Sequence, residues 1–203
     1  MINRLFFTFV LLMLCDLAVA QRFDGGILAG INASQVEGDT YRGYHKPGIL
    51  GGFYVETDLA PAVFMGMEIK YAQKGSRSKV TPKQPDKYIM RLGYIDIPVY
   101  AAFRTGEWGA VLGGISTGFL IHSTEIDEYG ELPSQDQYAF NTIDLQPFLG
   151  FQFGVLDNIK ADLRFALSVL PIRGQPGEGT NYYWHNNQFN NLISLAAYYQ
   201  IGR

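Results

Sequence analysis

The sequence predicts an all-β fold: an eight-stranded antiparallel up-and-down transmembrane β-barrel. Three observations carry that prediction. Apolar residues recur at every second position in segment after segment, a secretory leader precedes them, and the connections between segments alternate between short and long. A period of two gives a strand two unlike faces. The clearest run is Ile143, Leu145, Pro147, Leu149, Phe151, Phe153 and Val155, interleaved with Asp144, Gln146, Phe148, Gly150, Gln152 and Gly154. A tilted strand needs roughly 9–11 residues to cross a hydrocarbon core, which this run supplies.

The leader comes first. Arg4 provides a positive start, residues 5–15 an apolar stretch, and Ala18-Val19-Ala20 an A-x-A cleavage site. Sec-type export with cleavage after Ala20 is therefore expected, leaving residues 21–203 as the barrel domain. Asp16 interrupts the apolar stretch, which is too short for a membrane anchor. The sole cysteine, Cys15, follows Leu14, where lipoprotein processing wants a small residue. The mature chain then has neither thiol chemistry nor a disulfide.

Eight strands follow, at residues 25–35, 48–57, 62–73, 88–104, 110–122, 140–155, 159–170 and 191–202. The first carries Ile27, Ala29, Ile31 and Ala33 on one face, the second Ile49, Phe53 and Val55, the third Val63, Met65, Met67 and Ile69. The fourth carries Ile95, Ile97, Val99 and Phe103, and the fifth Val111, Ile115, Thr117 and Phe119. The sixth is the run above, the seventh carries Leu163, Phe165, Leu167 and Val169, and the eighth Ile193, Leu195, Ala197 and Tyr199. Short connections at 58–61, 105–109 and 156–158 alternate with long ones at 36–46, 74–87, 123–139 and 171–190. Short periplasmic turns alternating with longer extracellular loops is the outer-membrane pattern. An even strand count puts both ends of the barrel on the periplasmic side. Pro98 and Pro147 lie inside strands and remove ladder donors, so bulges or weak pairing are expected there. No later apolar run reaches the roughly 18 residues of a helical span. A membrane chain without such helices must close its sheet, because backbone polar groups facing lipid need partners within the structure.

Alternation alone does not say which face points inward, since a soluble barrel has the same parity reversed. Composition decides. The face opposite the apolar one is rich in small residues, among them Gly30, Gly52, Gly66, Gly114, Gly118 and Gly150. A water-exposed face would carry Lys, Glu and Thr instead. A narrow eight-stranded lumen has room only for packed side chains. The charges on that face balance closely: Glu56, Glu68, Asp96, Asp144 and Asp162 against Lys70, Arg104, Lys160 and Arg164. Charges shut in a narrow lumen must be paired or hydrated. A paired network filling the barrel is expected, with an ion or proton path as the functional alternative.

The rest of the chain excludes more than it assigns. Charged residues make up 17% of its 203 residues, where a soluble domain carries about 25%. A formal charge of −3 without a Lys/Arg cluster gives no sign of a nucleic-acid partner. His45, His122 and His185 fall at or in three different loops without metal-ligand spacing, so neither a metal nor a cofactor is expected. Ser116 and Ser123 lie near His122 in sequence but form no local catalytic signature, and no enzyme activity is expected. The run Asn181-Tyr182-Tyr183-Trp184-His185-Asn186-Asn187 suits either a membrane-interface loop or a grip on sugar or protein. Trp108, in a short turn, reads as an interface anchor on the opposite side. Asn32-Ala33-Ser34 matches a glycosylation sequon but lies within a strand.

The assembled pattern resembles the PorT-like outer-membrane β-barrel proteins of the Bacteroidetes. The residues that carry it are Gly30-Ile31-Asn32, the run Met67-Glu68-Ile69-Lys70-Tyr71-Ala72-Gln73-Lys74-Gly75, and Tyr94-Ile95-Asp96-Ile97-Pro98, together with Asp144 and Asn191. The likeness implies a Gram-negative outer membrane; the family's namesake is implicated in a secretion system specific to that phylum. The expectation is an integral outer-membrane barrel with a filled lumen and a structural or adaptor role. It would contact lipid along its wall and envelope proteins through its loops or turns. The alternatives are a narrow channel, a lipid-active enzyme and a soluble periplasmic binding barrel.

Overall fold

The structure, a computed structural model, describes residues 22–39, 41–82, 87–133, 138–174 and 187–201. The leader, its cleavage site, His185 and residues 181–186 of the aromatic run lie outside these. Seven strands run in sequence: β1 (Phe23–Glu37), β2 (Lys46–Ala60), β3 (Val63–Arg77), β4 (Ile89–Arg104), β5 (Gly109–Ile126), β6 (Ile143–Leu156) and β7 (Ile159–Leu167). A two-residue strand β8 (Arg173–Gly174) and the last strand β9 (Asn187–Gln200) complete the set. Each strand pairs antiparallel with its sequence neighbour from β1 to β7, β7 pairs with β9, and β9 closes on β1 from Gly26↔Gln200 to Glu37↔Phe189. The result is a closed eight-stranded antiparallel barrel, with β8 an appendage on β9.

The two faces follow the period-two pattern. Ile31, Phe53, Ile69, Val99, Ile115, Leu149 and Leu195 point outward and are exposed, whereas Tyr54, Glu68, Asp96, Leu112, Gln146 and Tyr198 point inward and are buried. In water this wall would be a large aggregation hazard; against acyl chains it is the matched surface. At the short-turn end Trp108 stacks edge-on against Phe151, with ring centroids 6.3 Å apart, forming part of an aromatic girdle.

The prolines weaken pairing without shifting it. Along β3 and β4 the ladder is absent between Met67↔Val99 and Lys70↔Asp96, where Pro98 sits, yet the register is the same on both sides. The β6–β7 ladder stops at Phe148↔Ala166, one position short of Pro147, and resumes beyond it with Val169 N–H donating to Leu145 O at 2.9 Å. The register shifts lie elsewhere, at Asp58/Ala60, Gly93/Tyr94 and Gly154/Leu156.

Some expected boundaries move. β3 runs on to Arg77, so Lys74 belongs to the barrel wall and not to the following loop. β6 starts at Ile143, three residues later than position 140, and β9 starts at Asn187, four residues before position 191. β7 stops at Leu167. Beyond it the chain folds over the lumen mouth, where Ile172 is fully buried and donates its N–H to Gln188 O.

Candidate functional site: the filled lumen

The inward faces stack polar groups in tiers between aromatic and aliphatic packing. Glycines make room for the large side chains. A Cβ on Gly66 of β3 would lie 2.3 Å from Tyr100 Cζ, and one on Gly118 of β5 would lie 2.5 Å from Asp96 Oδ1. The lumen is therefore not lined by small residues for its own sake. Gly66 and Gly118 are each the seat of a larger side chain on the neighbouring strand.

The tier nearest the short turns centres on Glu56. Lys160 forms an ion pair with it, the Tyr100 hydroxyl donates to Oε1 at 3.0 Å, and Gln152 donates to the same oxygen at 3.4 Å. Below it a vestibule of about 280 Å³ opens at the short-turn end, lined by residues that include Phe64, Arg104, Gln152 and Lys160.

The central tier is built on Arg164 of β7. Its Nη2 donates to Glu68 Oε1 at 2.6 Å and to Asp162 Oδ2 at 3.0 Å, and its Nε lies 2.8 Å from Asp162 Oδ1. The Tyr198 hydroxyl accepts from Arg164 at 2.9 Å and donates to Glu68 at 2.8 Å. Lys70 takes the other Glu68 oxygen at 2.8 Å. The guanidinium also lies over the rings of Tyr100 and Phe148, 4.8 and 4.9 Å from their centroids, an additional attraction for a desolvated cation.

The next tier is built on Lys74. Its ammonium donates to Asp96 Oδ1 at 2.9 Å, Gln146 Oε1 at 2.7 Å and Asp144 Oδ2 at 3.4 Å, and sits 4.5 Å from the Tyr94 ring centroid. Asp144 accepts further from Ser168 Oγ at 2.6 Å and Asn190 Nδ2 at 2.9 Å. A buried carboxylate is tolerable when its lone pairs are occupied in this way.

The tier at the long-loop end closes the mouth. Arg173 of β8 grips Glu125 through both terminal nitrogens, each at 2.8 Å, and donates Nε to Gln188 Oε1 at 2.7 Å. The Tyr88 hydroxyl donates to Glu125, and the Phe140 ring lies 4.3 Å beneath the guanidinium. Such a fork-to-carboxylate contact fixes orientation as well as charge.

Of the nine charged residues read from the sequence, the structure brings eight into these tiers: Glu56, Glu68, Lys70, Asp96, Asp144, Lys160, Asp162 and Arg164. Arg104 is a correction. It sits at the mouth on the short-turn end, partly exposed, paired with Asp58 and donating to Pro61 O at 3.1 Å. Its inward parity holds, but it is the last residue of β4, where the barrel opens to water. The sequence pattern misses Lys74 and Glu125 because apolar alternation fades at the loop ends of β3 and β5, and strand limits drawn from it stop short; it misses Arg173 because that residue lies in the two-residue strand β8, within the connection after β7, where no alternation marks it.

His122 is exposed and its Nε2 lies 2.9 Å from Thr124 Oγ1, while Ser116 is buried. Among the described residues no group of three or more His, Cys, Asp or Glu side chains is placed to hold a metal ion.

Comparison with known proteins agrees with this architecture. The family model described as "Outer membrane protein beta-barrel domain" matches residues 19–172. The chain belongs to that family. The outer-membrane barrel is similar in fold to the attachment invasion locus protein Ail of Yersinia pestis, at 15% identity and a TM-score of 0.50, over 89% of this chain and 99% of that one. It is also similar to neisserial surface protein A, at 12% identity and a TM-score of 0.51, over 90% of this chain and 99% of that one. No curated protein sequence matches it. The barrel thus resides in an outer membrane, its apolar wall against lipid.

Proposed function

We propose that this chain is a non-conducting outer-membrane barrel acting as a structural or adaptor element of the envelope. The observation that supports this reading is the succession of ion pairs that cross the lumen at four heights, Glu56 with Lys160, Glu68 with Arg164, Lys74 with Asp96 and Asp144, and Glu125 with Arg173. A pore needs a continuous water column. Here paired side chains and the rings of Tyr94, Tyr100 and Tyr198 occupy that volume.

The surfaces left for function are then the extracellular loops and periplasmic turns, which would contact envelope proteins. The PorT-like resemblance gives this role its specific form: a secretion-associated adaptor of the Bacteroidetes outer membrane, delivered by a leader removed after Ala20. The reading makes no use of catalysis.

Single-channel recording of the refolded barrel in planar bilayers tests the central point. The expected trace is flat. Discrete current steps would replace this reading with a narrow ion channel. Co-purification from native membranes is expected to retain an envelope protein.

A further inference from the structure

At the long-loop end the outward face changes character. On β3 the exposed apolar series Met65, Met67, Ile69 gives way to Tyr71, Gln73 and Arg77, and on β4 and β5 to Arg91, His122 and Thr124. This change marks the extracellular boundary of the hydrocarbon, the depth at which lipid headgroups lie.

At that depth a cleft of about 400 Å³ opens in the outer wall, lined by Lys46, Tyr71, Gln73, Arg77, Arg91 and His122 among others. Gly93 forms its floor: a Cβ there would lie 3.1 Å from the Tyr71 hydroxyl and 3.6 Å from His122 Cβ. Among the described residues no carboxylate lines this cleft, and Lys46, Arg77 and Arg91 take part in no ion pair. The Lys46 ammonium donates to Pro47 O at 2.9 Å, which leaves further donors free. In the lumen every tier answers its cations with carboxylates. These three cations are left for something outside the protein.

The cleft adjoins a second, apolar groove. That groove, of about 560 Å³, is lined by Ile31, Ala33, Ile49, Ile193 and Leu195, and shares Pro47 and Gln73 with the basic cleft. Both lie beside the end of the β2–β3 ladder at Leu50↔Ala72, beyond which β2 continues to Lys46 paired only with β1. An anion pocket at headgroup depth, opening into an apolar channel on the membrane side, has the two-part shape of an amphiphile.

We propose that this paired cleft and groove is a binding site for one phosphorylated lipid of the outer leaflet. Arg77, Arg91 and Lys46 hold the phosphate, and an acyl chain lies along Ile31, Ile49 and Leu195. Arg suits phosphate oxygens because its planar fork can donate bidentately. The apolar groove is what selects a lipid over a soluble polyanion, which would gain nothing from it. The proposal rests on the placement of the wall in lipid but not on the lumen's being closed.

Native mass spectrometry of the full barrel, folded in micelles and incubated with lipid A, reads the site. Folding of every variant is checked first by heat-dependent gel mobility, which separates failure of insertion from loss of the site. The wild type is expected to retain phosphorylated lipid A and to lose it when the lipid's phosphates are removed. Arg77→Gln with Arg91→Gln is expected to weaken retention roughly thirtyfold, at about one kcal/mol for each interfacial arginine. Arg22→Gln with Arg42→Gln removes the same charge at exposed positions that line neither the cleft nor the groove, and is expected to change retention little. Equal retention of phosphate-free lipid, equal loss in both double variants, or no loss in the arginine variant would each overturn the proposal.

Discussion

Arg164 and Glu68 meet across the full width of the barrel. Their strands, β7 and β3, stand four places apart in either direction around the closed sheet, yet Nη2 lies 2.6 Å from Oε1. The contact braces opposite walls, and its two partners are not equivalent. Asp162 depends on Arg164 for its ion pair, whereas Glu68 also holds Lys70. Removing the cation therefore strands a buried carboxylate, which costs about 3–5 kcal/mol. Arg164→Met is expected to lose that much in denaturant unfolding of the micelle-bound barrel. Glu68→Leu should lose less, because Arg164 keeps Asp162. The combined variant should cost less than the sum, since the two sites share partners. Equal and additive losses would show that the brace is not coupled.

The outer wall gives a prediction that depends on depth. Leu149 is 69% exposed in mid-strand, and Trp108 is equally open but sits in a short turn at the barrel end. A cation facing lipid costs about 2–4 kcal/mol at the bilayer midplane and about 0–1 near an interface. Leu149→Arg should destabilise the barrel in bilayers by the larger amount and Trp108→Arg by the smaller charge penalty plus its lost ring packing. Unfolding free energies in lipid vesicles measure both. An unaffected Leu149→Arg would mean that this face does not meet acyl chains.

Packing inside the lumen makes a third. Gly66 and Gly114 both flank Tyr100, but differently. A Cβ on Gly66 meets the far end of the ring, while one on Gly114 also meets Val99 O at 2.2 Å. Tyr100 is buried and bonded to Glu56, so it has nowhere to move. Gly66→Ala is expected to cost about 1–3 kcal/mol through overpacking. Adding Tyr100→Leu should recover part of that loss for Gly66→Ala and little for Gly114→Ala, where backbone is the obstacle. The comparison of the two double variants in unfolding experiments is the check.

What the sequence made legible follows from what lipid enforces. Acyl chains require apolar contact at every outward position in mid-membrane, so Ile115, Leu149 and Leu195 wrote the strands and their faces into the chain as alternation. Where a strand leaves the hydrocarbon that requirement ends. In Tyr71-Ala72-Gln73-Lys74-Gly75 the outward Gln73 and Gly75 break the pattern although the backbone ladder continues, so alternation alone places Lys74 in a loop. Parity alone admitted Arg104 to the lumen, because parity says nothing of height along the axis. Partner choice was also hidden. Lys74 meets Asp144 at a separation of 70 residues and Arg164 meets Glu68 at 96, and both follow from strand order and stagger, which no local pattern encodes. The basic cleft was invisible for the same reason: Lys46, Arg77, Arg91 and His122 come from four strands and lie too far apart in sequence to read as a cluster.

Asp39 predicts how stability depends on pH. It lies beyond the end of β1, outside the membrane-spanning wall, where its Oδ1 accepts from the Tyr41 N–H at 2.9 Å. Burial pushes its carboxyl up from 3.8 to about 7, and neighbouring Glu37 adds to the rise. Between those values the folded chain holds a proton that the unfolded chain has released. The stability that Asp39 contributes is therefore complete below about pH 3.8 and is lost as pH rises through about 7. Denaturant midpoints of the micelle-bound barrel should carry a downward component across that window. Asp39→Asn, which cannot ionise, should remove this component and leave the remaining profile in place. A profile identical in the two proteins would show that the Asp39 carboxyl ionises as freely in the folded barrel as in the unfolded chain.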